Sequence, residues 1–173
     1  MKKYCFLLIV LFFSYGYCEL KNYNTDFYFG YGFAKIQNPK NYQFYTFMAD
    51  FTRNIKKSKH FFYQIEPAIA YVNSPSDNFE IGVSCFLLYK FWEGNFQPYL
   101  KLGTGIIYLS QDFVEQSTHF NFASSLCFGV KILLKKFFLN PEIRLRHVSN
   151  AGIKLPNEGI NSKIFLIGIG SNF

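Results

Sequence analysis

His147 and Ser149 stand two residues apart in the segment Arg144-Leu145-Arg146-His147-Val148-Ser149-Asn150-Ala151-Gly152. In extended chain that spacing puts both side chains on one side, with Cα atoms ~6.6 Å apart. An imidazole bridges such a distance to a hydroxyl, which is the minimum for a serine nucleophile activated by a base. Counting back from His147 by twos gives Leu145, Ile143, Pro141, Leu139 and Phe137, an unbroken apolar series. The other parity holds Arg146, Arg144, Glu142 and Asn140. The dyad therefore continues an apolar stripe and not a polar one. Asn161 lies further on and shares parity with Phe165, Ile167, Ile169 and Phe173, so it belongs to a face of the same kind.

The elements that position these residues follow from composition and periodicity. The chain has 173 residues, 50% hydrophobic and 21% aromatic, with 23 Phe, 13 Tyr and only 17% charged residues, which excludes a disordered or low-complexity protein. No apolar run reaches the ~18 residues that a spanning helix needs. A membrane β-barrel accommodates both facts, because its spans alternate and never form a long apolar run. Eight segments of period-two character occur, at 25–36, 41–53, 60–72, 78–91, 96–109, 117–133, 137–148 and 161–173, divided by turn signals such as Asn38-Pro39-Lys40 and Glu93-Gly94-Asn95.

One face of each segment is large and apolar: Phe27, Phe29, Tyr31 and Phe33 in the first, Leu100, Leu102, Ile106 and Tyr108 in the fifth. The opposite face is small or polar and includes Glu66, Glu80, Lys101, Glu142, Arg144 and Arg146. A soluble barrel has no room inside for so many rings. The expected fold is all-β, an eight-stranded antiparallel transmembrane β-barrel with aromatics toward lipid and charges paired across a filled interior.

Residues 1–18 read as a signal peptide, with Lys2 and Lys3 before the apolar run Phe6 to Phe13, and Gly16 and Cys18 at a cleavage site before Glu19. The barrel is then 19–173, with net charge +5 once the two lysines are subtracted from +7. Its remaining cysteines, Cys85 and Cys127, fall on opposite faces and are expected to stay unpaired. An even strand number puts both termini in the periplasm, so strand seven ends and strand eight begins at the cell surface. His147, Ser149 and Asn161 then converge on the outer wall near the outer leaflet, whose characteristic lipid is lipopolysaccharide. The terminal Phe173 resembles the C-terminal aromatic signature of outer-membrane barrel proteins.

The stretch His147-Val148-Ser149-Asn150-Ala151-Gly152, followed by Leu155-Pro156-Asn157-Glu158-Gly159-Ile160-Asn161, closely resembles the lipid A 3-O-deacylase (PagL-like) family of outer-membrane enzymes. The motif match covers about fifteen residues, with an H-x-S-N-A core and a P-N-x-G at fixed distance. The resemblance implies a serine hydrolase that cleaves the acyl ester at the 3-position of lipid A, with lipopolysaccharide as substrate. It implies Ser149 as nucleophile, His147 as general base and Asn157 in the oxyanion hole, assisted by backbone N–H groups at Ala151 and Gly152. The chain departs from the family pattern at the triad's acid, where Asn161 stands in place of a glutamate. An amide can orient a histidine by accepting its N–H, as in Cys-His-Asn enzymes. Glu158, in the loop, is the alternative orienter.

The competing readings are a non-catalytic structural or adhesin-type barrel, and an acyl-transferring enzyme that needs an acyl cavity inside the barrel. Neither His60 nor His119 has ligand-spaced partners, so no metal is expected, and no cofactor. His119 shares parity with Asn121, Ala123 and Ser125 and is expected inside the barrel. No phosphate loop or dinucleotide fingerprint occurs, and no nucleic-acid partner is expected. Lys154 and Lys163 flank the site and are placed to meet lipid A phosphates. The sequence leaves homodimerisation through the lipid-facing aromatics open.

Overall fold

The computed structural model describes residues 24–36, 41–55, 58–111 and 115–171. Eight strands occur there: β1 (Asn24–Ala34), β2 (Tyr42–Asn54), β3 (Phe61–Ser74), β4 (Asn78–Lys90), β5 (Phe96–Leu109), β6 (Phe120–Leu134), β7 (Phe137–Ser149) and β8 (Ile160–Ser171). Each pairs with its sequence neighbour, and antiparallel pairing of β1 with β8 closes the barrel. The expected fold class is the observed one. The expected signal segment, 1–18, and Phe173 lie outside the described residues.

Period-two alternation decides which way each side chain points. Phe27, Phe29 and Phe33 of β1, Ile69 and Tyr71 of β3, and Leu102 and Ile106 of β5 are exposed on the outer wall. Glu66, Glu80, Lys101, Glu142, Arg144 and Arg146 are buried inside. The wall is a lipid-facing surface, since in water it would leave apolar rings uncovered on every side.

The interior charges pair as expected. Arg144 grips Glu66 through two bonds of 2.5 and 2.7 Å and Glu142 at 2.8 Å, while Arg146 grips Glu80 at 2.7 and 3.1 Å. Lys101 is fully buried and faces three carboxylates, Glu142 at 2.8 Å, Asp50 at 3.3 Å and Glu66 at 3.7 Å. Around the charges the interior is filled by rings that sequence parity left unremarked: Phe44, Phe62, Phe86, Tyr99 and Phe138. Phe44, Phe86, Tyr99 and Phe138 fit because glycines on adjacent strands leave the space. A Cβ on Gly32 would stand 2.1 Å from the Phe44 ring. Two interior cavities measure about 30 and 50 Å³, room for water but not for an acyl chain.

Two differences from the sequence expectation concern the β5–β6 connection. β6 begins at Phe120, not at 117, because Thr118 and Asn121 satisfy one another locally. Thr118 Oγ1 donates to the Phe120 carbonyl at 2.9 Å, and Asn121 Nδ2 donates to the Thr118 carbonyl at 2.8 Å. Such local bonds compete with the ladder. His119 therefore lies outside the strand, parity does not govern it, and its ring is not inside. The ring packs on Tyr108, with centroids 5.5 Å apart, and its Nδ1 meets the Leu109 carbonyl at 2.8 Å.

Candidate active site

His147 and Asn161 are direct partners across the β7–β8 ladder, and both side chains emerge on the outer wall. His147 Nδ1 lies 2.8 Å from Asn161 Oδ1. An amide oxygen only accepts, so Nδ1 donates and the lone pair is left on Nε2, the atom a general base needs. The ring is backed by Gly159, whose φ is +78° and where a Cβ would stand 2.5 Å from His147 Cε1. Both the backbone conformation and the lack of space call for glycine there.

Ser149 ends β7, half-buried, on the same face as His147. Among the described residues no hydrogen bond joins its hydroxyl to the imidazole. Nucleophile–base contacts are often open in unliganded hydrolases and close around substrate.

The loop that follows is held by Asn150, which is fully buried. Its Nδ2 donates to the Lys154 carbonyl at 2.7 Å and to Ser117 Oγ at 3.3 Å, while its Oδ1 accepts the Gly152 N–H at 2.9 Å. Its own N–H goes to Asn157 Oδ1 at 3.0 Å. That bond fixes the Asn157 amide by its oxygen and leaves Nδ2 without a partner among the described residues, as an oxyanion donor must be. The Ala151 N–H is likewise unpartnered among the described residues, with φ +54°. The Gly152 N–H differs from the expectation, because Asn150 Oδ1 already occupies it. Glu158 is exposed, and its backbone N–H donates to the Glu115 carbonyl at 3.0 Å. The residue bonded to the histidine is Asn161.

Sequence reasoning missed the second loop. Gln116 bridges Asn157 and reaches the Val148 carbonyl at 3.4 Å, and Ser117 Oγ donates to the Lys154 carbonyl at 2.9 Å. The β5–β6 connection thus braces the β7–β8 loop. No periodicity reports a contact between two irregular segments.

Below His147 the outer wall carries a groove of about 540 Å³, lined by Leu102, Gly103, Ser124, Leu126, Leu145 and Lys163 together with His147 and Asn161. The site therefore opens sideways, onto the lipid-facing surface. Among the described residues, no three His, Cys, Asp or Glu side chains converge as a metal site. Cys85 is exposed on the wall and Cys127 buried, both free.

The crystal structure of the outer membrane enzyme PagL has TM-score 0.67 to this chain at 16% identity, covering 83% of this chain and 97% of that one. Neisserial surface protein A gives 0.69 at 14%, covering 88% and 97%. The N-terminal β-barrel domain of Pseudomonas aeruginosa OprF gives 0.51 at 12%, covering 87% and 98%. These likenesses share the barrel fold. No curated protein sequence matches significantly. The family model described as lipid A 3-O-deacylase (PagL) matches residues 23–169, nearly the whole barrel. The chain belongs to the lipid A 3-O-deacylase (PagL) family.

Proposed function

We propose that this chain is a serine esterase of the bacterial outer membrane that hydrolyses the acyl ester at the 3-position of lipid A. The observation that carries the reading is the His147–Asn161 hydrogen bond on the lipid-facing wall, beside Ser149 and above a groove open to the membrane. A polar constellation exposed to lipid is unfavourable unless it serves a substrate that arrives from the membrane.

Ser149 Oγ attacks the ester carbonyl as His147 Nε2 takes its proton, and Asn161 holds the imidazolium through Nδ1. The developing oxyanion is met by Asn157 Nδ2 and the Ala151 N–H. Collapse breaks the bond between the carbonyl carbon and the sugar's 3-oxygen, and His147 returns the proton to that oxygen. Water then attacks the acyl-serine with His147 again as base, releasing the fatty acid and restoring Ser149. Lys154, exposed in the β7–β8 loop, meets the phosphates of the headgroup, while Lys163 stands one row further into the wall and lines the groove.

β5 and β7 end, and β6 and β8 begin, at one barrel end, with ten residues in each connection (110–119 and 150–159), whereas β6 and β7 at the other end are joined through Lys135 and Lys136 alone. Outer-membrane barrels keep long loops outside and short turns in the periplasm, which supports a site in the outer leaflet. The leading 1–18 segment serves as the export signal.

Mass spectrometry of lipid A from cells producing the wild type or Ser149→Ala tests the proposal. A mass loss of one hydroxyacyl chain with the wild type alone is the expected result. Unmodified lipid A with folded wild-type protein in the outer membrane would overturn it in favour of a non-catalytic barrel.

A further inference from the structure

The ladder places a row of polar residues across an otherwise apolar wall. Thr104 of β5 pairs with Ser124 of β6, Ser124 with His147 of β7, and His147 with Asn161 of β8. All four are exposed on the outer face. The rows on either side are Ile106–Phe122–Ser149 and Leu102–Leu126–Leu145–Lys163, so on β5 and β6 the two hydroxyls stand between apolar neighbours.

The row also descends. Asn161 is the second residue of β8 and Ser124 the fifth of β6, while Thr104 lies five residues before the end of β5. With strands rising ~3.4 Å per residue and tilted ~40°, Thr104 sits roughly 10 Å deeper in the wall than Asn161. Neither Ser124 nor Thr104 has a hydrogen-bond partner among the described residues, and Ser124 lines the groove below His147. A hydroxyl facing hydrocarbon without a partner is unfavourable, so the Ser124 position calls for an acceptor or donor supplied by what occupies the groove.

We propose that Ser124 reads the β-hydroxyl of the acyl chain being cleaved, making the site selective for 3-hydroxyacyl esters over plain acyl esters. This rests on the esterase reading above. Ser149 pairs with Phe122, which makes Ser124 its diagonal neighbour, with Cα atoms ~7–8 Å apart. An ester whose carbonyl meets Ser149 and whose chain enters the groove carries its β-carbon past Ser124. The oxygen on that carbon is within hydrogen-bond reach of the Ser124 hydroxyl, which donates or accepts as the chain's stereochemistry requires. A chain without the hydroxyl leaves Ser124 unpaired.

The test uses purified full-length protein in mixed micelles with two glucosamine phosphates of equal chain length, one carrying a 3-hydroxyacyl ester and the other a plain acyl ester at the 3-oxygen. Wild type is expected to favour the hydroxylated ester about tenfold in kcat/KM, the worth of one neutral hydrogen bond. Ser124→Ala should remove that preference by lowering turnover of the hydroxylated ester alone, and Ser124→Thr should keep it. Equal losses on both esters would show that Ser124 acts through His147 and would overturn the proposal. So would an unchanged preference in Ser124→Ala, or a wild type that cleaves both esters equally. A wild type that cleaves neither ester would overturn the esterase reading itself, and this inference with it. Faster migration in unheated SDS gels establishes that each variant is a folded barrel.

Discussion

His147 donates through Nδ1 to Asn161 Oδ1 at 2.8 Å, between residues that face each other directly across the β7–β8 ladder. The neutral amide fixes the ring's tautomer but would supply no charge to the imidazolium of the proposed attack by Ser149. A carboxylate at the same position forms a charge-assisted bond of about twice the strength. Asn161→Asp is therefore expected to raise kcat by roughly tenfold, and Asn161→Ala to lower it by a similar factor. Glu158→Ala should change it less, because Asn161 already holds the ring. Steady-state kinetics of the three variants in micelles decide the order, and a larger loss in Glu158→Ala would move the orienting role to the loop.

Gly159 sets the other side of the same ring. A methyl there would stand 2.5 Å from His147 Cε1 on a backbone with φ +78°. Gly159→Ala is expected to push the imidazole off its bond to Asn161. A displacement of about 1 Å at a catalytic group lowers turnover roughly a hundredfold. Folding should be spared, since Gly159 lies in the loop between β7 and β8 and not in a strand. The measurement is kcat beside gel migration, and full activity in the variant would mean that the ring tolerates the shift.

Asn150 ties the site loop to the neighbouring one, with hydrogen bonds to Lys154, Ser117, Gly152 and Asn157. Asn150→Ala leaves the Lys154 carbonyl and the Gly152 N–H without this partner, and the Asn157 amide loses the fixed frame around it. Lost buried bonds of this kind cost about 1–3 kcal/mol locally. Hydrogen exchange at 150–159 should accelerate while the strands stay protected. Activity should fall by about tenfold or more even though Asn150 itself is buried away from the groove.

Much of this was legible in the sequence, and the rest was not for identifiable reasons. Alternation alone put Phe27, Ile69 and Leu102 outside and Glu66, Lys101 and Arg144 inside, because the period of a strand is two and a single parity decides every residue on it. The same parity brought His147, Ser149 and Asn161 to one wall. Register is not carried by parity, so the pairing of Ser124 with His147 had no sequence signal. Nor did the brace from Gln116 and Ser117, or the outward ring of His119, since irregular segments have no period to read. The occupied Gly152 N–H likewise depends on how Asn150 folds back, which spacing cannot report.

The barrel's interior holds a charge cluster away from the site. Lys101 is wholly buried and faces Asp50, Glu66 and Glu142 within 3.7 Å, while Arg144 neutralises Glu66 and Glu142 from another side. Among the described residues Asp50 has no second cation; the Gln64 amide donates to it, and the Glu66 carboxyl lies beside it. Lys101→Met keeps the length of the stem and removes the ammonium, leaving the buried carboxyls of Asp50, Glu66 and Glu142 with Arg144 as the cation that contacts two of them. Removing one partner of a buried ion pair destabilises by about 3–5 kcal/mol. The urea midpoint for unfolding from lipid vesicles should fall accordingly, while Lys101→Met with Asp50→Asn should recover much of the loss. Deacylation by the surviving folded fraction should be unchanged, because Lys101 points into the lumen and the site stands on the opposite side of the wall. An unaltered midpoint in Lys101→Met would mean that Arg144 alone balances the buried carboxyls and that Lys101 adds nothing to stability.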